Sequence, residues 1–265
     1  MNNKKNITLL GTVALFAALS APVIAAPIDL STWSELTLDF AGGQNAGNWN
    51  LNNDNTAVTQ TVNADPSFYL NNINQTSYSM DGSWQVKTAS DDDYMGFVFG
   101  YENSSNFYLF DWKKGNQGYQ SQFANEGMTV KKMTGGTGNG LTDLSLGEFW
   151  ENTGDTGDMD VLASNHGNTK GWLANVVYDF HLDFNTLNPG EFTIIVNQGA
   201  TELWNVTIQD ATFTGGQFGF YNYSQSTVEY AGFEQTGGTP VPAPAAILLF
   251  GLGLAGLGFS RKTQA

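Results

Sequence analysis

Between residues 30 and 235 no stretch sustains an apolar repeat at the 3.6-residue period of a helix, and that pattern restricts the region to β-structure. Short runs rich in Val, Ile, Phe, Tyr and Thr alternate there with Gly, Asn and Asp turns, as in a β-sandwich. The clearest runs are Leu36–Phe40, Ala57–Val62, Ser67–Leu70, Trp84–Thr88, Tyr94–Tyr101, Phe107–Lys113 and Met128–Lys132. After a looser middle come Asn175–Phe184, Glu191–Asn197, Glu202–Gln209, Gly216–Tyr223 and Val228–Phe233. A brief helical turn is expected near Leu141–Phe149, and residues 151–171 read as a long acidic excursion. The run Met95-Gly96-Phe97-Val98-Phe99-Gly100-Tyr101 is apolar at both alternating sets of positions. It is therefore expected to be a central strand covered on both faces, with Gly96 and Gly100 making room for opposing aromatic rings.

The chain has no cysteine, which excludes a disulfide framework, thiol catalysis and a cysteine zinc site. The fold must rest on its core, which 18 Phe and a 13% aromatic content can supply.

The two ends read as membrane signals. Lys4 and Lys5 precede an uncharged run from Ile7 to Leu19, and small residues up to Ala25 suit a signal peptidase cutting after Ala25. The run rises only ~20 Å as a helix, short of a ~30 Å hydrocarbon core, so it is expected to be a cleaved signal helix. At the other end Val241, Pro242, Ala243 and Pro244 lead into an apolar stretch, Ala245 to Phe259, closed by Arg261 and Lys262. From Pro242 to Ser260 a helix would reach ~28 Å, enough to span. The terminal positive charges would hold that end inside, with the domain outside. The expected organisation is a signal peptide (1–25), one domain (26–235), a linker (236–240) and a membrane-spanning tail (241–265).

Four of the ten basic residues and none of the 25 acids lie in these signals, which leaves 25 acids against 6 bases in the exported part. A surface so acidic cannot bind nucleic acid.

Asp91-Asp92-Asp93 stands just before the central strand. Consecutive carboxylates repel one another, and calcium takes 6–8 oxygens from such groups and nearby carbonyls. A solvated acidic turn is the other reading, and the spacing alone leaves both open. Asp155, Asp158 and Asp160 lack the downstream Glu of a helix–loop–helix calcium motif and read as a solvated loop. Asp179, His181 and Asp183 alternate with Tyr178, Phe180, Leu182 and Phe184, as on the wet face of a half-buried strand. His166 reads as a surface residue of a polar loop. No paired carboxylates at glycosidase spacing, nucleophile motif or phosphate loop is present, so an enzyme is not expected. Six tryptophans (Trp49, Trp84, Trp112, Trp150, Trp172, Trp204) are available to stack on sugars. Most are expected in the core, with one or two on a concave face beside Asp111; Asp111 and Trp112 are thus a candidate saccharide-binding face.

Two resemblances add to this. Asp91-Asp92-Asp93-Tyr94-Met95-Gly96-Phe97-Val98-Phe99-Gly100-Tyr101, then Ser104-Ser105-Asn106-Phe107-Tyr108 and Trp112-Lys113, resembles the C-terminal lectin-like domain of thrombospondins. The likeness continues through Gly127 with Val130-Lys131, Trp150 with Thr153-Gly154-Asp155, Gly171-Trp172, Gly215–Gly219 and Tyr223-Ser224-Gln225. It implies a concanavalin-like jelly roll, a sandwich of two antiparallel sheets, that binds calcium through the Asp91–Asp93 corner and serves cell adhesion or matrix contacts. The aspartate-rich repeats that precede that domain in thrombospondins are absent, and Asp111 replaces an apolar residue. The C-terminal segment is similar to a PEP-CTERM sorting tail, also catalogued as an ice-binding-protein C-terminal motif, with Ala243 where Glu is usual. That likeness implies passage through the inner membrane, cleavage by an exosortase-type protease, and delivery to the cell surface or to extracellular polysaccharide.

Overall fold

The computed structural model describes residues 27–136 and 143–240; the leader at 1–25 and the sorting tail, with Val241, Pro242, Ala243, Pro244, Arg261 and Lys262, lie outside the described residues. The chain runs through β1 (Ser34–Thr37), β2 (Trp49–Leu51), β3 (Ala57–Gln60), β4 (Ser67–Leu70), β5 (Gln75–Val86) and β6 (Tyr94–Asn103). Then follow β7 (Asn106–Lys113), β8 (Gln117–Tyr119), β9 (Gln122–Ala124), β10 (Gly127–Thr134) and the helical turn α1 (Leu146–Trp150). The second half supplies β11 (Met159–His166), β12 (Val177–Phe184), β13 (Glu191–Gln198), β14 (Thr201–Gln209), β15 (Gln217–Tyr223) and β16 (Val228–Pro240).

Two seven-stranded sheets form, in the orders β1-β4-β15-β6-β7-β10-β11 and β14-β13-β12-β5-β16-β3-β2, with β8 and β9 as a separate hairpin. Every strand pair is antiparallel, so the expected all-β sandwich of two antiparallel sheets is what the chain builds.

The two sheets differ as their sequences dictate. Along β12 core residues alternate with wet ones, so the second sheet leaves one face in water. In β6 the first eight residues are all buried. One face of β6 meets the second sheet through Phe97 and Phe99; the other lies under a cover that includes Leu144, Leu146, Phe149 and Trp150. The inter-sheet core centres on Trp84, stacked on Phe180 with centroids 5.0 Å apart. Gly96 is needed because a Cβ there would stand 2.0 Å from the Phe110 carbonyl oxygen on β7, so the neighbouring backbone, not an aromatic ring, claims its space. At Gly100 the expectation of opposing aromatics is met: the backbone turns left-handed (φ +55°) against Tyr108, Phe184 and Phe213.

Two expectations are corrected, and the expected helical turn is found a few residues along. Residues 236–240 are not a linker: they extend β16 and pair with the start of β5, Thr236 opposite Ser79 and Pro240 opposite Gln75. The excursion at 151–171 contains β11, an edge strand on β10. The helical turn sits at Leu146–Trp150, where Ser145 and Glu148 form a reciprocal capping box.

Candidate functional site

The turn from β5 into β6 gathers the three aspartates, with an oxygen of each within 4.8 Å of the others. Their surroundings divide them. Asp91 Oδ2 accepts from Asn63 Nδ2 at 2.6 Å, and Asp91 Oδ1 from the Asp92 amide at 3.0 Å. Asp92 is half-exposed beside an open hollow of about 440 Å³ bounded by Ala89, Ser90, Lys114 and Gly115. Asp93 is buried: its Oδ1 is 2.7 Å from the Lys113 ammonium, its amide donates to Gln225 Oε1, and its carbonyl accepts from Trp172 Nε1. Burial pushes the Asp93 carboxyl up, and Lys113 pulls it back.

Lys113 is itself wholly buried. Besides Asp93 it donates to the Asp92 carbonyl (3.1 Å) and Gln117 Oε1 (3.0 Å), and it lies 4.4 Å from the centre of the Trp150 ring. Lys114 caps the carbonyls of Ala89 and Asp91, each at 3.2 Å. Two lysines thus neutralise part of the corner. Asp91 and Asp92 are the residues that could hold a divalent cation, whereas Asp93 is already paired with Lys113.

Asp111 and Trp112 do not share one face: they project to opposite sides of β7. Successive strand residues point to opposite faces, and here both faces are covered. Asp111, fully buried, points toward the α1 side, with Oδ2 2.7 Å from Lys131 Nζ. Trp112 points between the sheets, 4.6 Å from Tyr178 between ring centroids, and donates to the Lys170 carbonyl at 2.7 Å. Trp49, Trp84, Trp150 and Trp172 are also buried, and Trp204 packs against the inter-sheet core. A cavity of about 570 Å³ opens at this end of the sandwich; Trp112, Trp172 and Tyr178 line it together with Lys114, Glu126 and Glu202.

On the wet face of the second sheet, His181 Nδ1 lies 2.8 Å from Asp81 and Nε2 3.1 Å from Asp183. Tyr178, Phe180, Leu182 and Phe184 fill the core, as read from their alternation. The hydrogen bond to Asp81, then that to Asp183, pushes His181 up to about 9 against the effect of partial burial. A pKa raised above the unfolded value of ~6.5 stabilises the fold fully below that value, and the contribution is lost as pH rises through about 9. The melting temperature should therefore fall between those two pH values in the wild type and stay flatter in His181→Gln; parallel profiles would refute the bridge. Of the other candidates, Asp160 pairs with Lys132 at 3.1 Å, and Asp155 accepts from the Val161 amide. His166 sits at the end of β11, half-buried, 2.9 Å from Thr129 Oγ1.

A family model described as the thrombospondin C-terminal region matches residues 44–236, and one described as the PEP-CTERM protein-sorting motif matches residues 240–262. Thrombospondin-4-B of Danio rerio is 30% identical over 223 residues, covering 81% of this chain and 23% of its own length. Thrombospondin-2 of Gallus gallus is 30% identical over 190 residues, covering 69% of this chain and 16% of its own length. The chain thus spans less than a quarter of the length of these relatives. Among solved structures, the carbohydrate binding module CBM66 from Bacillus subtilis shares the fold, with a TM-score of 0.51 at 13% identity over 78% of this chain and 96% of that one.

Proposed function

Because the chain belongs to the thrombospondin C-terminal region family and carries a PEP-CTERM sorting motif, we propose that it is an exported, calcium-stabilised exoprotein with an adhesive, non-enzymatic role. The tail carries the domain through the inner membrane to an exosortase-type protease and so to the cell surface or the polysaccharide matrix. The observation that carries the reading is the convergence of Asp91 and Asp92 beside an open hollow, in a domain with few bases to offset its acids. The ion would join the Asp91–Asp92 turn to the start of β6 and offset the repulsion between the two carboxylates.

The test is thermal melting in calcium against EDTA. At ten times the dissociation constant a ligand bound only by the folded state adds ~1.4 kcal/mol, or ~3–6 °C for a domain of this size. Asp92→Asn should abolish the rise and Asp155→Asn should keep it; identical midpoints in calcium and EDTA would remove the metal from the proposal.

The second reading is a carbohydrate-binding module. The cavity beside Trp172 favours it, since the aromatic and charged side chains that line it suit a sugar ring. A glycan array separates the two: a response lost on Glu202→Ala supports the module, and silence across matrix polysaccharides leaves adhesion through other contacts.

A further inference from the structure

We propose that the side chains of Lys131 and Asp111 condense in the folded chain to form an amide bond joining β10 to β7. Thr129 lies directly opposite Asp111 in the ladder, and Lys131, two residues on, leans back toward the same carboxyl. Both side chains are completely shielded from solvent, and Nζ approaches Oδ2 to 2.7 Å. Neither Asp111 oxygen receives an aligned hydrogen bond among the described residues, and the aligned donation of Lys131 goes to the Phe149 carbonyl at 2.8 Å. The contact is close and fully buried, a setting in which two charges are costly to desolvate.

Burial favours the uncharged partners, amine and carboxylic acid. It pushes Asp111 up to about 6 and Lys131 down, although each opposes the shift of the other. Proton transfer within the pair leaves a lone pair on Nζ and an electrophilic Cγ in contact. Fixing two reactants in this way replaces a very high concentration of either. The Tyr94 ring, 5.0 Å from Nζ, and the Phe149 and Trp150 cover keep bulk water from reversing the step.

The chemistry balances without a co-reactant. Nζ attacks Cγ and the C–N bond forms. The carboxyl hydroxyl leaves with the proton that nitrogen sheds, and one water is released. No oxidant, metal or activated ester is needed, and two interior charges disappear. The neighbouring pair Lys113–Asp93 has the same 2.7 Å contact, but there the lysine nitrogen meets three oxygens and also faces the half-exposed Asp92, so it is fully partnered as an ion pair. For a chain without cysteine, the bond is a covalent tie closing the segment that carries the β8–β9 hairpin.

The test is a tryptic digest of the full exported chain under denaturing conditions, read by tandem mass spectrometry. The expected product is a branched species in which the peptide ending at Lys113 and the peptide beginning at Gly115 are joined, one water lighter than their sum, with no cut after Lys131. Fragment ions should place the join at Asp111 and Lys131. Recovery of the two peptides separately, with Lys131 cleaved as fully as Lys132, would overturn the proposal, and so would water loss on the Asp111 peptide alone. Lys131→Arg should eliminate the branched species; if that variant fails to fold, the wild-type digest decides by itself.

Discussion

Replacing Lys113 by methionine should destabilise the domain by about 3–5 kcal/mol, because it leaves a buried carboxylate without its counter-charge. Asp93 is 5% exposed, and among the described residues Lys113 supplies its one ion pair, at 2.7 Å. Methionine keeps the length and the contact with the Trp150 ring but removes the ammonium, so the loss measures charge and not packing. Burial already holds the Asp93 carboxyl above the ordinary range with the lysine present, and without it the shift grows. The folded state then binds a proton that the unfolded state releases, so the variant should regain stability as pH falls toward that of a protonated carboxyl. Asp93→Asn on the Lys113→Met background should recover part of the loss at neutral pH, by removing the orphaned charge. Urea unfolding of the four proteins at neutral and mildly acidic pH gives the cycle. A single-variant loss below ~0.5 kcal/mol, the size of an ordinary surface change, would mean that Lys113 is not the cation of this corner.

Those residues also mark where sequence reasoning stopped. The acidic run before β6 was legible, because three adjacent aspartates at a strand entrance are unusual in any context. Its lysines were not. Lys113 reaches Asp93 only because the β6–β7 hairpin sets Tyr94 opposite Lys113, and that register is settled by a bulge between Phe99 and Asn103 rather than by local spacing. Asp111 misled for the opposite reason. A charged residue between Phe110 and Trp112 reads as the wet position of an alternating strand, yet the outer face of this strand is covered by a segment distant in sequence, and Lys131 meets it across the ladder.

The fold was legible where burial is two-sided and obscure where strands are made of polar residues. Tyr94–Asn103 and Asn106–Lys113 declare themselves through continuous apolar runs. Met159–His166 ends in Ala-Ser-Asn-His and becomes a strand only as the edge partner of β10. The polar Gln75–Ser79 and Thr236–Pro240 are strands because each supplies the other's ladder, information that neither segment holds alone. Pairing also shows why the sandwich begins ahead of residue 44, where the family match starts: β1 completes the edge beside β4.

Trp84→Ala should cost about 3–5 kcal/mol, the range for emptying a core aromatic site, while Trp84→Phe should cost well under half of that. Trp84 is 1% exposed at the middle of β5, flanked by Tyr178 on β12 and Tyr230 on β16. Its ring stacks on Phe180 at 5.0 Å, and it meets Phe110 at 5.6 Å, Phe97 at 6.1 Å and Trp112 edge-on at 6.4 Å. It therefore bridges the two sheets, and alanine would open a cavity walled by aromatic rings whose backbones are fixed by both ladders, so little collapse can relieve it. Phenylalanine keeps the stack on Phe180. It also removes an indole N–H that finds no acceptor among the described residues, and deleting an unpaired buried donor offsets part of the lost area. Chemical denaturation of both variants decides the point. If phenylalanine costs as much as alanine, the inter-sheet core depends on the shape of the indole and not on the aromatic stack, and the account of how these sheets adhere would have to change.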